Sequence, residues 1–206
     1  MTREQFINDV AKYVQKYAPK YGIKVHSPII AQAILESAAG TSELATQANN
    51  FFGLKYRAGR CPTAIGIYHK VGSEQNADGS YTSSAMNWCK FKNMEDGVIG
   101  YFDFINTSNY ANLKGVTDPE TYLKNIRADG YATSLKYVEN LMRVINNDNL
   151  TRFDNVNTDT YTVQKGDTLS KIGEKTGVAW KTIASINKIK FPYIIKVGQV
   201  LKLKAE

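Results

Sequence analysis

A stretch of fifteen residues constrains the fold of this chain more than any other feature. Residues 146–160 are rich in Asn, Asp and Thr and lack apolar periodicity, which is typical of a helix end followed by a linker. The chain of 206 residues is therefore expected to form a larger body and a small module. We place the body at residues 1–148, the linker at 149–159 and the module at 160–206.

The positive charge of the chain is concentrated in the module. Residues 1–156 hold 17 Lys and Arg against 15 Asp and Glu, a net charge of +2. Residues 157–206 hold 9 against 4, a net charge of +5. The chain has no basic run of five residues and no zinc-finger pattern, so a nucleic-acid partner is not expected.

Other classes of protein are disfavoured by what the sequence lacks. No apolar run reaches the ~18 residues of a membrane span, and the N-terminus has no secretory apolar region. The two cysteines and two histidines show no metal-ligand spacing, so neither a metal nor a cofactor is expected. Hydrolytic chemistry in this chain would therefore depend on carboxylates.

Capping residues and apolar spacing predict a mainly helical body. Thr2 and Gln5 fit a capping box, and Ser27 before a proline is expected to cap a second helix. Asn93 and Asp118 are expected to begin two later helices. A last helix is expected to bury Val138, Leu141, Met142 and Ile145.

Two other segments predict strands. Residues 65–91 contain β-branched and aromatic stretches around Asp78-Gly79, which favours a hairpin inserted in the helical body. The module reads as strand, helix, helix and strand, beginning at 161–163 and ending at 200–203. The predicted fold class is α+β, with a helical body, a small β-hairpin lobe and a β-α-α-β module.

Glu36 is the first candidate for a chemical role. It lies near the C-terminal end of an otherwise apolar helix, where the helix dipole makes a carboxylate mildly unfavourable. Low polarity around it would raise its pKa and keep a proton available for donation near neutral pH. The alternative is an ordinary solvated glutamate at a helix end.

The body contains three sequence motifs, the first of which includes Glu36. The run Gln32-Ala33-Ile34-Leu35-Glu36-Ser37 precedes Asn49-Asn50-Phe51-Phe52-Gly53-Leu54-Lys55, and Gly130-Tyr131-Ala132-Thr133 follows later. In the residues and the order of these motifs, the body resembles the peptidoglycan N-acetylglucosaminidases of glycoside hydrolase family 73, which have the lysozyme-like fold. The resemblance implies that Glu36 is the general acid that protonates the glycosidic oxygen.

The same resemblance implies further site residues. It points to Glu74 in the β-lobe as a second acidic residue, with Asp78 as the competing candidate, and to Tyr131 in the cleft. Glu74 need not be a nucleophile, because the acetamido group of the substrate can serve in this family. The candidate substrate-binding residues, whose aromatic members could instead be core residues, are Asn50, Phe51, Phe52 and Tyr110.

The module resembles a lysin motif (LysM) domain over nearly its whole length. The matching segments are 161–173, Ile186-Asn187 and 197–203. This family binds glycans that contain N-acetylglucosamine, through the loop after the first strand and the loop before the last. The implied binding residues are Gly166, Asp167, Thr168, Leu169, Pro192, Tyr193 and Ile194.

The two resemblances together imply a cell-wall hydrolase of the endolysin or autolysin type. It would cleave the β-1,4 bond between N-acetylglucosamine and N-acetylmuramic acid, as a monomer, and reach the wall after lysis or assisted export. Its expected partners are peptidoglycan strands and anionic wall polymers. The alternatives are a muramidase or lytic transglycosylase on the same fold, and a wall-binding protein without catalytic activity.

Overall fold

The computed structural model describes residues 1–75, 81–154, 160–176 and 178–204, with 71–75, 81–84 and Lys175 described by their backbone alone. The chain forms two compact units, Met1–Asp148 and Asn149–Glu206. Within the described ranges, none of the helices has the length and apolar character that a membrane crossing requires. The expected turn at Asp78-Gly79 lies outside the described residues, as does most of the expected linker.

The first unit is built mainly from helices. They are α1 (Arg3–Tyr17), α2 (Ser27–Glu36), α3 (Glu43–Ala48), α4 (Met94–Ile105), α5 (Pro119–Ala128) and α6 (Tyr137–Asn147), with 3-10 turns at Ala18–Tyr21 and Ser108–Leu113.

Three of the predicted helix starts are confirmed by side-chain caps. Thr2 forms the capping box, Asn93 accepts from the amide of the third helical residue, and Asp118 does the same in α5. The predicted cap at Ser27 is wrong by one residue, because His26 holds that position. Proline is tolerated one residue later than expected, since the first helical amides need no partner within the helix.

Helix α2 forms the centre of this unit. Eight of its ten residues are buried, and α1, α5 and α6 pack against it. Helix α6 buries Leu141 and Ile145 as predicted, whereas Val138 and Met142 stay half-buried on its outer side. The C-terminal end of α2, where Glu36 lies, is thus fixed by the most tightly packed helix of the unit.

The predicted hairpin is confirmed. Strands β1 (Gly66–Gln75) and β2 (Tyr81–Lys90) pair antiparallel from Gly66↔Lys90 to Gln75↔Tyr81. At the base of the hairpin, the amide of Cys89 donates to the carbonyl of Leu54 at 2.9 Å. The amide of Phe91 donates to the carbonyl of Ala48 at 2.8 Å, so the lobe is joined to the loop after α3.

The second unit has the predicted β-α-α-β order. After a 3-10 turn at Leu150–Phe153 come β3 (Thr160–Thr162), α7 (Leu169–Thr176), α8 (Trp180–Ile186) and β4 (Val200–Lys202), and the two strands pair antiparallel. Its small core consists of Val163, Leu169, Ile172, Ile183, Ala184, Leu201 and Leu203.

Candidate active site

Glu36 opens into a cleft of about 380 Å³ on the first unit. The cleft combines aromatic rings with charged side chains of both signs, and several separate segments of the chain contribute to it. Its lining residues are Glu36, Phe52, Gly53, Leu54, Lys55, Arg57, Arg60, Phe104, Asn109, Tyr110, Asp129, Gly130 and Tyr131.

The Glu36 carboxylate is accessible to solvent but lies among protein atoms on most sides. Burial raises the pKa of Glu36 above the usual carboxyl value, because the charged form loses hydration there. Among the described side chains, none forms a hydrogen bond or ion pair with it. A Cβ atom on Gly53 would lie 3.5 Å from Oε2 of Glu36, so the backbone of the following loop borders the carboxylate. The site therefore favours a protonated Glu36.

Tyr131 is held in the cleft by its hydroxyl group. The hydroxyl donates to the carbonyl oxygen of Phe52 at 2.8 Å, and the ring packs edge-on against Phe104 with centroids 5.7 Å apart. Desolvation raises the pKa of Tyr131 well above its usual value. Tyr131 is thus a neutral phenol whose proton is already engaged, so its oxygen can only accept a hydrogen bond from a ligand.

A buried network of hydroxyl groups supports α2 one turn before Glu36. Nε2 of Gln32 donates to the Tyr137 hydroxyl at 2.8 Å, and the Tyr101 hydroxyl donates to Oε1 of Gln32 at 2.7 Å. The hydroxyls of Tyr101 and Tyr122 are 3.0 Å apart. Such a network fixes the orientation of the helix that carries Glu36.

The structure brings some of the predicted substrate-binding residues to the cleft and leaves others away from it. Phe52 and Tyr110 line the cleft. Phe51 does not, because its ring packs against Phe6 in the core with centroids 5.6 Å apart. Phe51 therefore follows the alternative of core packing.

Asn50 is buried, and its side chain bonds to the protein itself. Nδ2 donates to the carbonyls of Leu54 and Cys89, both at 2.9 Å, and Oδ1 accepts from the Leu54 amide at 2.9 Å. These bonds connect the loop after α3 with the end of β2. The side chain of Asn50 thus stabilises the loop that borders the cleft and does not itself face the cleft.

The second acidic residue is only partly located. Glu74 lies in β1, opposite Thr82 of β2, but its side chain is outside the described part of the structure. Asp78 lies outside the described residues altogether. Around Glu36, no cluster of metal-binding side chains is found, and the described part of the chain holds no group of three that could bind a metal ion.

Sequence reasoning missed several cleft residues, most clearly Arg57, Arg60, Phe104 and Asp129. The guanidinium of Arg60 lies 4.1 Å from the centroid of the Phe104 ring. The two arginines follow closely after the Phe52-Gly53 motif, and a cationic pair there is the one local signal that could have indicated them. Phe104 and Asp129 come from distant segments with no local signal.

Cys61 and Cys89 meet behind this site. Both are buried free thiols, and the neighbouring Cys89 thiol together with burial raises the pKa of Cys61. Sγ of Cys89 also lies 3.8 Å from the carbonyl oxygen of Lys55. The thiols pack the loop that carries the arginines against the base of the hairpin.

In the second unit the predicted binding residues divide between two loops. The first loop holds exposed Gly166 with φ +85° and Thr168, whose hydroxyl accepts from the Lys171 amide as a cap of α7. Asp167 accepts hydrogen bonds from the Tyr161 hydroxyl and the Gln164 amide, both at 2.8 Å. These contacts give the loop a fixed shape.

The second loop is more apolar and more exposed. A cis peptide bond precedes Pro192, and Tyr193 has φ +58° and stacks edge-on against Trp180 with centroids 5.3 Å apart. Ile194 is 71% exposed, whereas Leu169 from the first loop is buried in the core. The side chains of Pro192, Tyr193 and Ile194 are thus available to a ligand, and that of Leu169 is not.

Two family models match the chain. A model described as mannosyl-glycoprotein endo-beta-N-acetylglucosaminidase matches residues 11–150. A LysM domain model matches residues 161–204. The two matches follow the two compact units of the structure.

Curated relatives carry names of peptidoglycan enzymes. A probable N-acetylmuramidase of Lactococcus lactis subsp. lactis (strain IL1403) is 28% identical over 97% of this chain and 51% of its own length. The exo-glucosaminidase LytG of Bacillus subtilis (strain 168) is 27% identical over 75% of this chain and 55% of its own. The chain thus spans about half the length of the curated relatives it matches.

Solved structures share the fold of the first unit. The catalytic domain of the autolysin Auto from Listeria monocytogenes superposes with a TM-score of 0.61 at 22% identity, over 73% of this chain and 86% of that domain. A peptidoglycan hydrolase mutant from Sphingomonas sp. A1 gives a TM-score of 0.62 at 24% identity, over 74% and 97%. Since the first family model covers more than half of the sequence, the chain belongs to the glucosaminidase family of glycoside hydrolases and carries a C-terminal LysM domain.

Proposed function

We propose that this protein hydrolyses the β-1,4 bond between N-acetylglucosamine and N-acetylmuramic acid in peptidoglycan. The observation that carries the proposal is the position of Glu36, at the end of a buried helix and inside a cleft where burial raises its pKa. A raised pKa lets a carboxyl group keep its proton to a higher pH, and a protonated carboxyl is the donor that a glycosidic oxygen needs when its bond to the anomeric carbon breaks.

Tyr131 complements this proton donor. Because its hydroxyl already donates a hydrogen bond to the Phe52 carbonyl, the phenol oxygen accepts a hydrogen bond from the N–H of the substrate acetamido group or faces the positive charge at the anomeric carbon. Phe52 and Tyr110 line the cleft, but their side chains are only 2% and 3% exposed, so they form its wall and offer no open ring face to a sugar. The cleft therefore offers a proton donor and an acceptor around one sugar.

Glu74 is our proposed second acidic residue, and the strand register bears on how it acts. Trp88 lies beside Gly53 at the Glu36 end of the hairpin, and its strand partner is Tyr68. Glu74 is six residues further along β1, which corresponds to about 20 Å of extended strand. Paired glycosidase carboxylates are about 5–10 Å apart, so Glu74 can act with Glu36 only where this part of the hairpin comes that close to the cleft.

A substitution of Glu74 separates the two mechanisms. Glu74→Gln is expected to lower kcat by about 100-fold if a second carboxylate activates water or attacks the sugar. If kcat changes by less than about threefold, the acetamido group of the substrate supplies the nucleophile instead. Far-ultraviolet circular dichroism of the variant would confirm an unchanged fold.

The identity of the bond is tested by product analysis. Purified peptidoglycan is digested, and the new reducing ends are reduced with borohydride and identified by mass spectrometry. Products that end in N-acetylglucosamine support the proposal. Ends in N-acetylmuramic acid would identify a muramidase, the activity named for the Lactococcus relatives, and 1,6-anhydro ends would identify a lytic transglycosylase.

For the LysM domain, the proposed role is to hold the enzyme on the glycan through its two loops. The loop at Gly166–Thr168 has a fixed shape, and the loop at 192–194 exposes Tyr193 and Ile194. Ile194→Asp in the full chain is expected to weaken adsorption to purified peptidoglycan in a sedimentation assay. Ser185→Asp, an exposed position on α8 outside both loops, is the matched control.

A further inference from the structure

The candidate active site has a cationic wall that the breaking of a glycosidic bond does not require. Lys55, Arg57 and Arg60 line the cleft together with the carboxyl groups of Glu36 and Asp129. When Glu36 carries its proton, the formal charge of these five side chains is +2. The sugar rings on either side of the bond carry no charge of their own, so this charge is directed at another part of the substrate.

The cationic wall is separate from the proton donor. A cation close to Glu36 would favour the ionised carboxylate and lower its pKa. The pKa of Glu36 is raised, and burial is the cause. Arg60 packs on the Phe104 ring whereas the Glu36 carboxylate borders Gly53, so the two groups contact different parts of the cleft wall.

Arg60 is held in a fixed orientation. Its guanidinium lies 4.1 Å from the centroid of the Phe104 ring, which in turn packs against the Tyr110 ring with centroids 5.5 Å apart. Its Nε is buried and has no hydrogen-bond partner. Asp129 lines the same region, but no ion pair joins it to Arg60 within the described part of the chain. Because Nε is buried, the terminal nitrogens are the donors left for a ligand, and a guanidinium held in place on a ring suits a planar anion.

Arg57 extends this region towards solvent. The Arg60 amide donates to the Arg57 carbonyl at 3.1 Å, so one tight turn presents both side chains to the cleft. The Arg57 side chain is exposed, and its guanidinium forms no hydrogen bond or ion pair in the described ranges. Two neighbouring guanidinium groups thus face the cleft with the capacity to bind the same anion.

We propose that Arg57 and Arg60 bind a carboxylate of the stem peptide that peptidoglycan carries on its muramic acid residue. This inference rests on the proposed function, because it places the muramic acid beside the bond that is cut. The lactyl group of that sugar is joined to the peptide by an amide, so the nearest negative charges are peptide carboxylates. Arginine forks match carboxylates in geometry as well as charge. The cleft then selects peptide-bearing strands over stripped glycan.

The test compares two substrates that differ only in these carboxylates. Purified peptidoglycan, freed of phosphate-containing wall polymers, is used as it is or after conversion of its carboxyl groups to methylamides with carbodiimide and methylamine. We expect the parent protein to lose about 3- to 10-fold of kcat/KM on the amidated substrate, mainly through KM. Arg57→Gln and Arg60→Gln are expected to show this loss on the native substrate and no further loss on the amidated one.

Arg143→Gln is the matched control. Arg143 is an exposed arginine on α6, paired with Glu139 and outside the cleft, so its removal should change neither rate. Equal rates of the parent on both substrates would overturn the inference, as would an equal loss by Arg57→Gln on both. Arg57 is exposed, so a folding defect is not expected, and a thermal unfolding curve checks this for each variant.

Failure of the proposed function gives a different result. If the parent releases no reducing ends from either substrate, the proposed hydrolysis is wrong. A binding measurement then tests whether the arginines recognise a carboxylate. Soluble disaccharide peptides, native or amidated, are titrated into the full chain by calorimetry. Weaker binding of the amidated ligand to the parent, but not to Arg57→Gln, supports the carboxylate site, and identical binding refutes it.

Discussion

Replacing Glu36 by glutamine is expected to remove activity while making the folded protein more stable at neutral pH. The folded state holds the Glu36 proton more tightly than the unfolded chain, because burial raises its pKa. Between the usual carboxyl pKa and the raised one, stability therefore falls as the pH increases. Above the raised pKa the full cost of the buried charge remains. Glutamine carries no charge, so the variant avoids this cost.

The size of the activity loss follows from the role of the group. A positioned general acid contributes about 10²–10⁴ in rate, which corresponds to roughly 2.7–5.5 kcal/mol of transition-state stabilisation. Glutamine has nearly the same shape, and Glu36 has no hydrogen bond to lose among the described side chains. The loss should therefore appear in kcat, and the parent's decline in rate at high pH should have no counterpart in the variant.

Two measurements and one control test this reasoning. Release of reducing ends from purified peptidoglycan gives the rate, and urea denaturation at about pH 4 and pH 7 gives the stability. Glu43→Gln is the control, because Glu43 is exposed, pairs with Lys70 at 2.8 Å, and has a pKa that this contact lowers. Its stabilising effect is present above the usual carboxyl pKa and is lost as the pH falls, so its variant is slightly less stable at pH 7.

The reasoning is refuted if Glu36→Gln clears cell walls as fast as the parent. It is also refuted if Glu36→Gln is less stable than the parent at pH 7, since the carboxylate would then be stabilised by the fold. Equal stability at low pH and higher stability at neutral pH is the pattern that burial of a charge requires.

Three further predictions concern the surroundings of the site. Gly53→Ala and Gly59→Ala each place a side chain at a positive φ, +62° and +75°, and each should lower the free energy of unfolding by about 1–2 kcal/mol in urea denaturation. Only Gly53 borders Glu36, so only Gly53→Ala should shift the pH at which the rate declines. Tyr137→Phe leaves the Gln32 donor unpaired and should lower the free energy of unfolding by about 1–3 kcal/mol. Adsorption of the full chain to cell walls should weaken as the ionic strength rises from about 0.05 to 0.5 M, because the module carries most of the net charge. Adsorption independent of salt would show that this charge serves solubility alone.

The helical frame could be predicted from the sequence because its signals are local. Caps at Thr2, Asn93 and Asp118 bond to amides three residues away, so their pattern is visible in the chain itself. The shift from Ser27 to His26 shows the limit of such signals, since a proline is compatible with either of the first two helical positions.

The cleft could be predicted only in part. The resemblance of the motifs pointed to Glu36 and Tyr131, and the structure places both on one cleft. It could not tell which side of the Asn-Asn-Phe-Phe-Gly loop faces the substrate, because that depends on packing against distant elements. Phe51 packs in the core against Phe6, whereas Phe52, also buried, packs against Tyr101 and borders the cleft. Adjacent aromatic residues have the same local signal.

The Asn50 side chain, which lies outside the cleft, affects the surroundings of the Glu36 carboxylate inside it through the loop after α3. Asn50 ties the loop to itself and to the carbonyl of Cys89, the second-last residue of β2. The same loop brings Gly53 against Glu36, so these bonds set the spacing between the helix end and the base of the hairpin. Glu74 lies far along the ladder from this brace. The proton donor is thus preorganised by the loop after α3, and the brace acts at the base of the lobe, away from the position of Glu74 in β1.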